Sequence, residues 1–507
     1  MVQNKVLRLG CSKIGASAES PRDPQQEKDS AVQHNVDVQA MSATARGEER
    51  VCVIGCGKSG LIGCKVLTQR GVAFDCFEEG SQIGGLWVLN NDSGRSACYD
   101  SLRINTSKLV TRFHDFPVPK HYPMFCPHQE MLAYLESYVD NFGFRKHITF
   151  RTQVVSVIPQ LKCGFTVFTK ALDTGKVLTR HYTSVIVACG HHWDPLWPKF
   201  TGNFMGSVSH SHGYRSPKPF VGKRVLVIGG GNSGMDIAAE LALSGAAKTI
   251  LSCRRPVHVV PRWVFGMPSD VAVQPWLGVT VPRRWVELCA AGAFWLSRGG
   301  SQESYGLPTP KFGLFGTHPT VNPGAGDILQ LIKKKKVTPK PGILCYKDNT
   351  VTFLDGTSEE VDAVVCATGY NAKVPFLPED CPVTKDGKTE LMHLVVHPKL
   401  PGVYFLGFIQ AHGPMIPCVE SQMSYAADLI QGVSELPPPE KMGKTIAKQH
   451  DFNRKNFTQV ERHALMVEFH RYLLQTQMAR CPKDKRGLGK KLWRTKRFLQ
   501  FCAGQTC

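Results

Sequence analysis

Nowhere among the 507 residues do two of the 18 cysteines stand three positions apart. Zinc ribbons and dithiol redox centres are built on Cys-x-x-Cys, so both lack sequence support, and a thioredoxin-reductase-like enzyme is disfavoured. Several cysteines (Cys52, Cys64, Cys253, Cys366) fall instead in apolar segments, as small buried hydrophobes of a reducing compartment. Long apolar runs are missing too. Nothing approaches the roughly 18 residues of a membrane span, and no secretory signal is legible. Acid is the scarce charge, 41 Asp and Glu against 61 Lys and Arg, for a net +20. The imbalance is local: residues 1–50 carry seven of each sign, whereas residues 441–507 carry sixteen basic and four acidic side chains. Basicity is therefore largely a C-terminal property, and no nucleic-acid partner is expected.

What is present is a pair of glycine loops. Val51–Ile54 is an apolar, mostly β-branched run followed directly by Gly55-Cys-Gly57-Lys58-Ser59-Gly60, and an apolar helix pattern (Leu61, Ile62, Val66, Leu67) leads on to Gly71. Such glycines permit a tight turn, close approach of backbone to a pyrophosphate and packing of helix on strand. The phosphates sit at the helix N-terminus, where unpaired N–H groups favour negative charge. A second strand, Ala73–Phe77, ends at Glu78, placed to hydrogen-bond a ribose. The arrangement recurs at Arg224–Gly234, with Gly229, Gly231, Asn232, Ser233 and Gly234 in the loop and Met235–Leu243 as the helix. Here the second strand, Lys248–Cys253, ends in Arg254-Arg255. An acid suits a free 2′-hydroxyl and arginine suits a 2′-phosphate. The first loop is thus expected to hold FAD and the second NADPH.

Between and beyond the loops lie Gly84-Gly85-Leu86-Trp87, the segment Tyr99–Lys108 with Asn105 and Thr106, and Asp115-Phe-Pro117. A helix is expected over Gln129–Phe142, with strands at Val154–Ile158, Phe165–Thr169, Ser184–Ala188, Thr350–Leu354 and Ala363–Ala367. Residues 256–345 are irregular. Their apolar stretch Val271–Leu296 reads as a helical insertion, with a lid, a substrate channel or a membrane-touching patch as alternatives. Lys333–Lys336 reads as a solvated helix end. Val403–Gln410 forms a strand and turn and Pro417–Ile430 a helix with Glu420 and Gln422, after which Pro437–Pro439 closes the body. Residues 1–49 read as a disordered leader, whose first 18 residues hold Lys5, Arg8 and Lys13 without an acid, as an organelle-targeting segment does.

Phe204-Met-Gly206-Ser-Val-Ser-His210-Ser-His-Gly-Tyr214 lies between the two loops and matches F-x-G-x-x-x-H-x-x-x-Y/F. With Gly84–Trp87, the Asn105 segment, His318–Asn322, Ala367–Tyr370 and Gly407–Gln422, it makes residues of about 50–432 resemble the flavin-containing monooxygenases. Carbonyl-oxygenating relatives carry tryptophan at the last motif position, where Tyr214 stands here. Ala188-Cys189-Gly190 departs from the family, which usually has threonine at the middle position, and Cys56 occupies a variable loop position.

The resemblance implies an α/β fold of two Rossmann-like dinucleotide-binding domains, the NADPH domain inserted in a split FAD domain. The expected boundaries are 50–200 and 367–440 for FAD, 201–366 for NADPH, and 441–507 for a basic C-terminal extension. It implies an NADPH- and O2-dependent monooxygenase. Hydride passes to FAD, the reduced flavin traps O2 as a C4a-hydroperoxide, and one oxygen atom goes to a soft sulfur or amine nitrogen of a small molecule. Carried over residue by residue, Gly55, Gly57, Lys58, Ser59 and Gly60 cradle the FAD pyrophosphate, Glu78 holds the ribose, and Leu86 and Trp87 pack beside the flavin. Asn105 is the catalytic amide at the reactive flavin edge, Thr106 its neighbour, and Gln410 a flavin-side glutamine. Gly231, Asn232, Ser233 and Gly234 hold the NADPH phosphates, and Arg254 and Arg255 clamp the 2′-phosphate. Tyr214 is grouped with the cofactor contacts as part of a connector sensing nicotinamide, with His210 structural. No metal is expected.

Two rivals stay open at this point: carbonyl oxygenation giving esters, and an uncoupled NADPH oxidase. Residues 480–507 hold nine basic side chains and one acid, interleaved with Leu488, Leu492, Trp493, Phe498, Leu499 and Phe501. As a helix this tail suits an anionic membrane surface; as a coil it is simply solvated. The expected location is cytoplasmic or peripheral on an intracellular membrane. Oligomerisation is left open, and Gly504–Cys507 is not a prenylation box.

Overall fold

Apolar runs such as Val51–Ile54 make sense only if both strand faces are covered, and they are. The computed structural model describes residues 50–160, 164–199, 201–272, 281–311, 313–314, 316, 319–457, 463–485 and 487–502. The leader 1–49, His318 and Gly504–Cys507 lie outside them. Val51 and Val53 enter one hydrophobic cluster, and Cys52 and Ile54 enter another on the opposite face of the same sheet. That sheet is parallel throughout, with strands ordered Val403–Phe405, Ser184–Val187, Arg50–Ile54, Ala73–Phe77 and Ile148–Thr149. A second parallel sheet is ordered Ser207–His210, Ala363–Cys366, Arg224–Ile228, Lys248–Ser252 and Val337–Lys340. All five strands of the second sheet fall in sequence between two neighbouring strands of the first, Ser184–Val187 and Val403–Phe405. This is a nucleotide-binding unit inserted within a split one.

Parallel neighbours need crossover connections, which the helices Lys58–Gln69 and Asn232–Leu243 provide. The helix His128–Phe142 packs Tyr134, Leu135 and Tyr138 into the first core. Thr152–Pro159, Phe165–Ala171 and Val177–Tyr182 form an antiparallel sheet between strands of the first unit. Its third strand is exposed along most of its length, so no apolar alternation marks it in the sequence. The lysine run forms the solvated helix end that was expected. Ile328–Lys333 is a helix and Lys333–Lys336 are exposed, but the chain then enters the fifth strand of the second sheet. In the irregular insertion the described part contains a helix over Arg283–Arg298.

The chain does not leave the first unit at Pro437–Pro439. Helix Pro439–Asn456, strand Met466–Glu468 and helix Phe469–Ala479 fold back onto it. Met466–Glu468 pairs in parallel with Gln410–His412. Fully buried Gln422 accepts the Gly407 N–H at 2.9 Å and donates to the Tyr472 hydroxyl at 2.8 Å. Arg480 Nε donates to Asp428 at 2.7 Å. These polar ties add to scattered apolar contacts, in which Met442, Ile446, Val467, Phe469 and Tyr472 enter the two cores of the first unit, so a polar sequence conceals packed structure. The final helix, Gly487–Cys502, exposes Leu492 and Phe498. No helix among the described residues is long and apolar enough to cross a membrane.

Candidate active site

Both glycine loops make the turn that their spacing predicts, and the first and third glycines are required by the chain itself. Gly55 has φ +96°, and a Cβ added there would lie 2.9 Å from the Ala188 carbonyl oxygen. A Cβ at Gly60 would lie 1.8 Å from the Gly55 oxygen, and one at Gly234 would lie 1.9 Å from the Gly229 oxygen. The middle glycines differ. A Cβ at Gly231 would meet nothing within 4 Å, and one at Gly57 only the Gly85 backbone, its Cα at 3.6 Å and its N at 4.0 Å. Both face a cavity of about 1630 Å³. Gly57 and Gly231 are also the N-cap residues of their helices, with no side-chain cap on either. The first-turn N–H groups are therefore free of side-chain partners, and space is kept beside them. That is the cradle a pyrophosphate requires.

The cavity is larger than the ~300–1,000 Å³ of a typical single-ligand pocket. It is lined by residues of both loops, including Gly57, Lys58 and Ser59 from the first and Gly231, Asn232 and Ser233 from the second. Burial pushes the Lys58 ammonium down to about 8. Glu78 also lines the cavity; its Oε2 accepts the Cys56 N–H and its Oε1 the Gly80 N–H, each at 2.8 Å. The carboxylate thus ties the second strand to the first loop and keeps further lone pairs for a ribose hydroxyl. Leu86, Trp87, Thr106 and Gln410 also line the cavity. The Thr106 hydroxyl is hydrogen-bonded to that of Thr111.

Asn105 lines the cavity, and its amide orientation is decided by a residue 157 positions away. Arg262 Nη2 donates to Asn105 Oδ1 at 3.1 Å. A guanidinium can only donate, so the amide oxygen must face it, and the NH2 is left for another partner. One residue on, the Ser107 N–H donates to Asp270 Oδ2 at 2.5 Å. Burial raises the Asp270 carboxyl above its ordinary range. Asp236, on the second nucleotide helix, is pushed up to about 6 by burial and accepts the Tyr99 hydroxyl at 2.8 Å.

The family described as Flavin-binding monooxygenase-like matches residues 48–485. The rat (Rattus norvegicus) protein named Flavin-containing monooxygenase 5 is 33% identical over 444 residues, which are 83% of this chain and 81% of that protein. The chain belongs to the flavin-containing monooxygenase family. The rat Dimethylaniline monooxygenase [N-oxide-forming] 2 is 32% identical over 441 residues, covering 84% and 81% of the two chains. Among solved structures, S-allyl-L-cysteine S-oxygenase from Allium sativum superposes with a TM-score of 0.64 at 22% identity, over 90% of this chain and 93% of that one. A closed cyclohexanone monooxygenase gives 0.62 at 18% identity, over 90% and 98%. At such identities the structures speak for the fold alone.

As a member of this family the chain is an NADPH- and O2-dependent flavin monooxygenase that uses FAD and NADPH and oxygenates a heteroatom of a small molecule. The match continues to residue 485, beyond the 432 reached by the motifs, in keeping with the C-terminal helices that pack onto the first unit. Among the described residues no group of His, Cys, Asp or Glu could hold a metal ion.

Five of the residues expected at the flavin monooxygenase site do not line the cavity: Gly60 and Gly234, each buried against the first glycine of its loop, and Tyr214, Arg254 and Arg255. Tyr214 is 4% exposed; its hydroxyl donates to Glu240 at 2.7 Å and its ring stacks on Phe220, inside the core of the second unit. Arg254 and Arg255 are exposed beyond the end of Lys248–Ser252 and are not among the cavity-lining residues. His210 is buried between Trp197 and Tyr370, and its Nδ1 accepts the His212 N–H at 3.1 Å. Burial pulls it down to about 4, so it is neutral at physiological pH. Sequence reasoning missed Arg262, Asp236, Tyr99 and Asp270. Asp236 carried a signal, an acid flanked by Met235 and Ile237 in an apolar helix. Arg262 sits in the irregular insertion, where periodicity says nothing.

Proposed function

We propose that the protein oxygenates a soft sulfur or amine nitrogen, with Asn105 as the catalytic amide beside the flavin and the two glycine loops holding the two nucleotides. The carrying observation is convergence: both loops and Asn105 line one cavity. FAD, when bound, supplies the redox step, taking hydride from NADPH and activating O2. The chain binds, orients and excludes water. The loop amides at Gly57, Ser59 and Gly60 receive the FAD pyrophosphate beside the Lys58 cation, Gly55, whose own N–H donates to the Phe77 carbonyl at 2.8 Å, makes the turn that brings them there, and Glu78 receives the ribose. Leu86 and Trp87 give an apolar wall, Gln410 a polar contact on the flavin side, and Thr106 supports Asn105. Asn105 donates its NH2 hydrogens to the oxygen being transferred or to the nicotinamide nucleotide.

Gly231, Asn232, Ser233 and Gly234 receive the NADPH phosphates. Arg254 and Arg255 are assigned to the 2′-phosphate on their position: a Cβ added at Gly230 of the loop would meet Cys253, the residue before them, at 2.9 Å. Tyr214 acts through the packing of the NADPH unit rather than by contact. The units proposed are 50–200 with 367–440 for FAD, to which the elements through Ala479 add, and 201–366 for NADPH. Peripheral attachment through Gly487–Cys502 to an anionic membrane is supported by its exposed Leu492 and Phe498 among lysines and arginines.

The test supplies FAD, NADPH and O2 with a thioether, a tertiary amine or a ketone, and measures product and hydrogen peroxide per NADPH oxidised. Sulfoxide or N-oxide in near-equal yield to NADPH supports the proposal. Ester from the ketone alone, or stoichiometric peroxide whatever is added, overturns it.

A further inference from the structure

Among the described residues, Arg262 is the one side chain that grips both nucleotide-binding units at the residue on which oxygen transfer is proposed to turn. From the second unit it reaches the first through Nη1, donating to the Ile104 carbonyl at 2.8 Å, and through Nη2, donating to Asn105 Oδ1 at 3.1 Å. Its Nε donates to the Asn322 carbonyl at 2.9 Å, within its own unit. Three donors on one rigid plane therefore meet three acceptors on two units. The Phe125 ring lies 4.9 Å from the guanidinium carbon. Asp236, on the helix that follows the NADPH loop, faces it as the principal opposing charge. Asn322 is itself held, its side chain accepting the Ile328 N–H at 3.0 Å at the start of the following helix. No other side-chain type reproduces this: lysine offers a point charge without a fork, and a glutamine in place of Arg262 could present an acceptor to Asn105 and release its orientation.

We propose that Arg262 is a positioning residue, which holds the Asn105 amide with its oxygen turned away and its NH2 presented to the flavin and nicotinamide. This rests on the reading of Asn105 as the donor in the site. Because the same guanidinium grips Asn322 of the NADPH unit, the orientation of Asn105 is tied to the placement of that unit. Breaking the fork frees the amide to rotate, and half of its orientations then present an acceptor where a donor is required.

The experiment is a double-mutant cycle of Arg262→Met and Asn105→Ala in the full-length, FAD-loaded protein. It is read as the rate of hydrogen peroxide escape and, without turnover, as NADP⁺ affinity. Arg262→Met is expected to retain FAD and to speed peroxide escape about tenfold, the scale of one lost charge-assisted hydrogen bond. Added to Asn105→Ala it changes either readout less than about twofold, since nothing remains to be positioned. Arg262→Lys guards against simple misfolding by keeping the charge without the fork, and is expected to leak like Arg262→Met. Guanidinium ion added to Arg262→Ala is expected to slow the leak. A leaky Asn105→Ala beside a tight Arg262→Met or Arg262→Lys overturns the inference alone, as does full additivity of the two changes. An Asn105→Ala variant as tight as the parent overturns it together with the reading of Asn105.

Discussion

The two middle glycines separate folding from binding, and alanine at either is the sharpest test of the site. Gly57 has φ −69° and ψ 178°, and Gly231 φ −79° and ψ 178°, a backbone any L-residue adopts. With no atom within 4 Å of the new carbon at position 231, and only the Gly85 backbone at 3.6 Å or more for position 57, alanine meets no protein obstacle. Such a change removes unfolded-state freedom and is expected to leave the nucleotide-free protein unchanged or up to about 1 kcal/mol more stable. The methyl group would instead occupy the space kept for a pyrophosphate, pushing it off the helix-terminal amides. Losing one hydrogen bond to a charged group costs roughly 1.5–3 kcal/mol, at least about tenfold in Kd.

The third glycines reverse the pattern. Contacts of 1.8 Å at Gly60 and 1.9 Å at Gly234 against backbone oxygens cannot be relieved by a side-chain rotation. Gly60→Ala and Gly234→Ala are therefore expected to destabilise by about 3 kcal/mol or more. The assay is thermal unfolding of nucleotide-stripped protein beside fluorescence titration with FAD and NADP⁺. Gly57→Ala is expected to weaken FAD and spare NADP⁺, and Gly231→Ala the converse. A Gly231→Ala protein that binds NADP⁺ as the parent does would refute the assignment of that loop.

Three further outcomes are expected. Asp236, raised to about 6 by burial, makes the folded state prefer the protonated acid. Its contribution is fully present below about pH 4 and is lost as pH rises to about 6, by roughly 3 kcal/mol for a shift of some two units, and is flat above. Asp236→Asn should therefore gain stability relative to the parent between pH 4 and 6 in denaturant titrations; parallel curves would contradict the burial argument. Lys58, pulled down to about 8, should be re-protonated by a bound pyrophosphate, so FAD affinity is expected to fall as pH rises through 8. Lys58→Met should abolish that slope and weaken FAD about tenfold at pH 7, measured by flavin fluorescence. Arg254→Ala with Arg255→Ala is expected to narrow the preference for NADPH over NADH in kcat/KM; an unaltered ratio removes both from the 2′-phosphate site.

Much of this protein is written in short-range patterns. Strand, glycine loop and apolar helix are encoded within about thirty residues each, so Gly55–Gly60 and Gly229–Gly234 announced two nucleotide sites, and the acid at Glu78 against Arg254-Arg255 was the ground for assigning FAD to one and NADPH to the other. The insertion of one unit in the other came with the resemblance to the flavin-containing monooxygenases. Only the tertiary structure decided which side chains meet. Asn105 and Arg262 are separated by 157 residues, and no spacing rule connects a loop of one sheet with an irregular segment of the other. Tyr214, read from its motif as a cofactor-side residue, turns inward because Glu240 and Phe220 offer its hydroxyl and ring a buried partner. The segment after Pro439 read as a polar, basic extension because its buried apolar residues (Met442, Ile446, Val467, Phe469, Tyr472) are scattered, and its docking is completed by Tyr472, Thr476 and Arg480 meeting Gln422, Ser421 and Asp428. Local periodicity records which face of an element is buried; it carries no record of what lies against it.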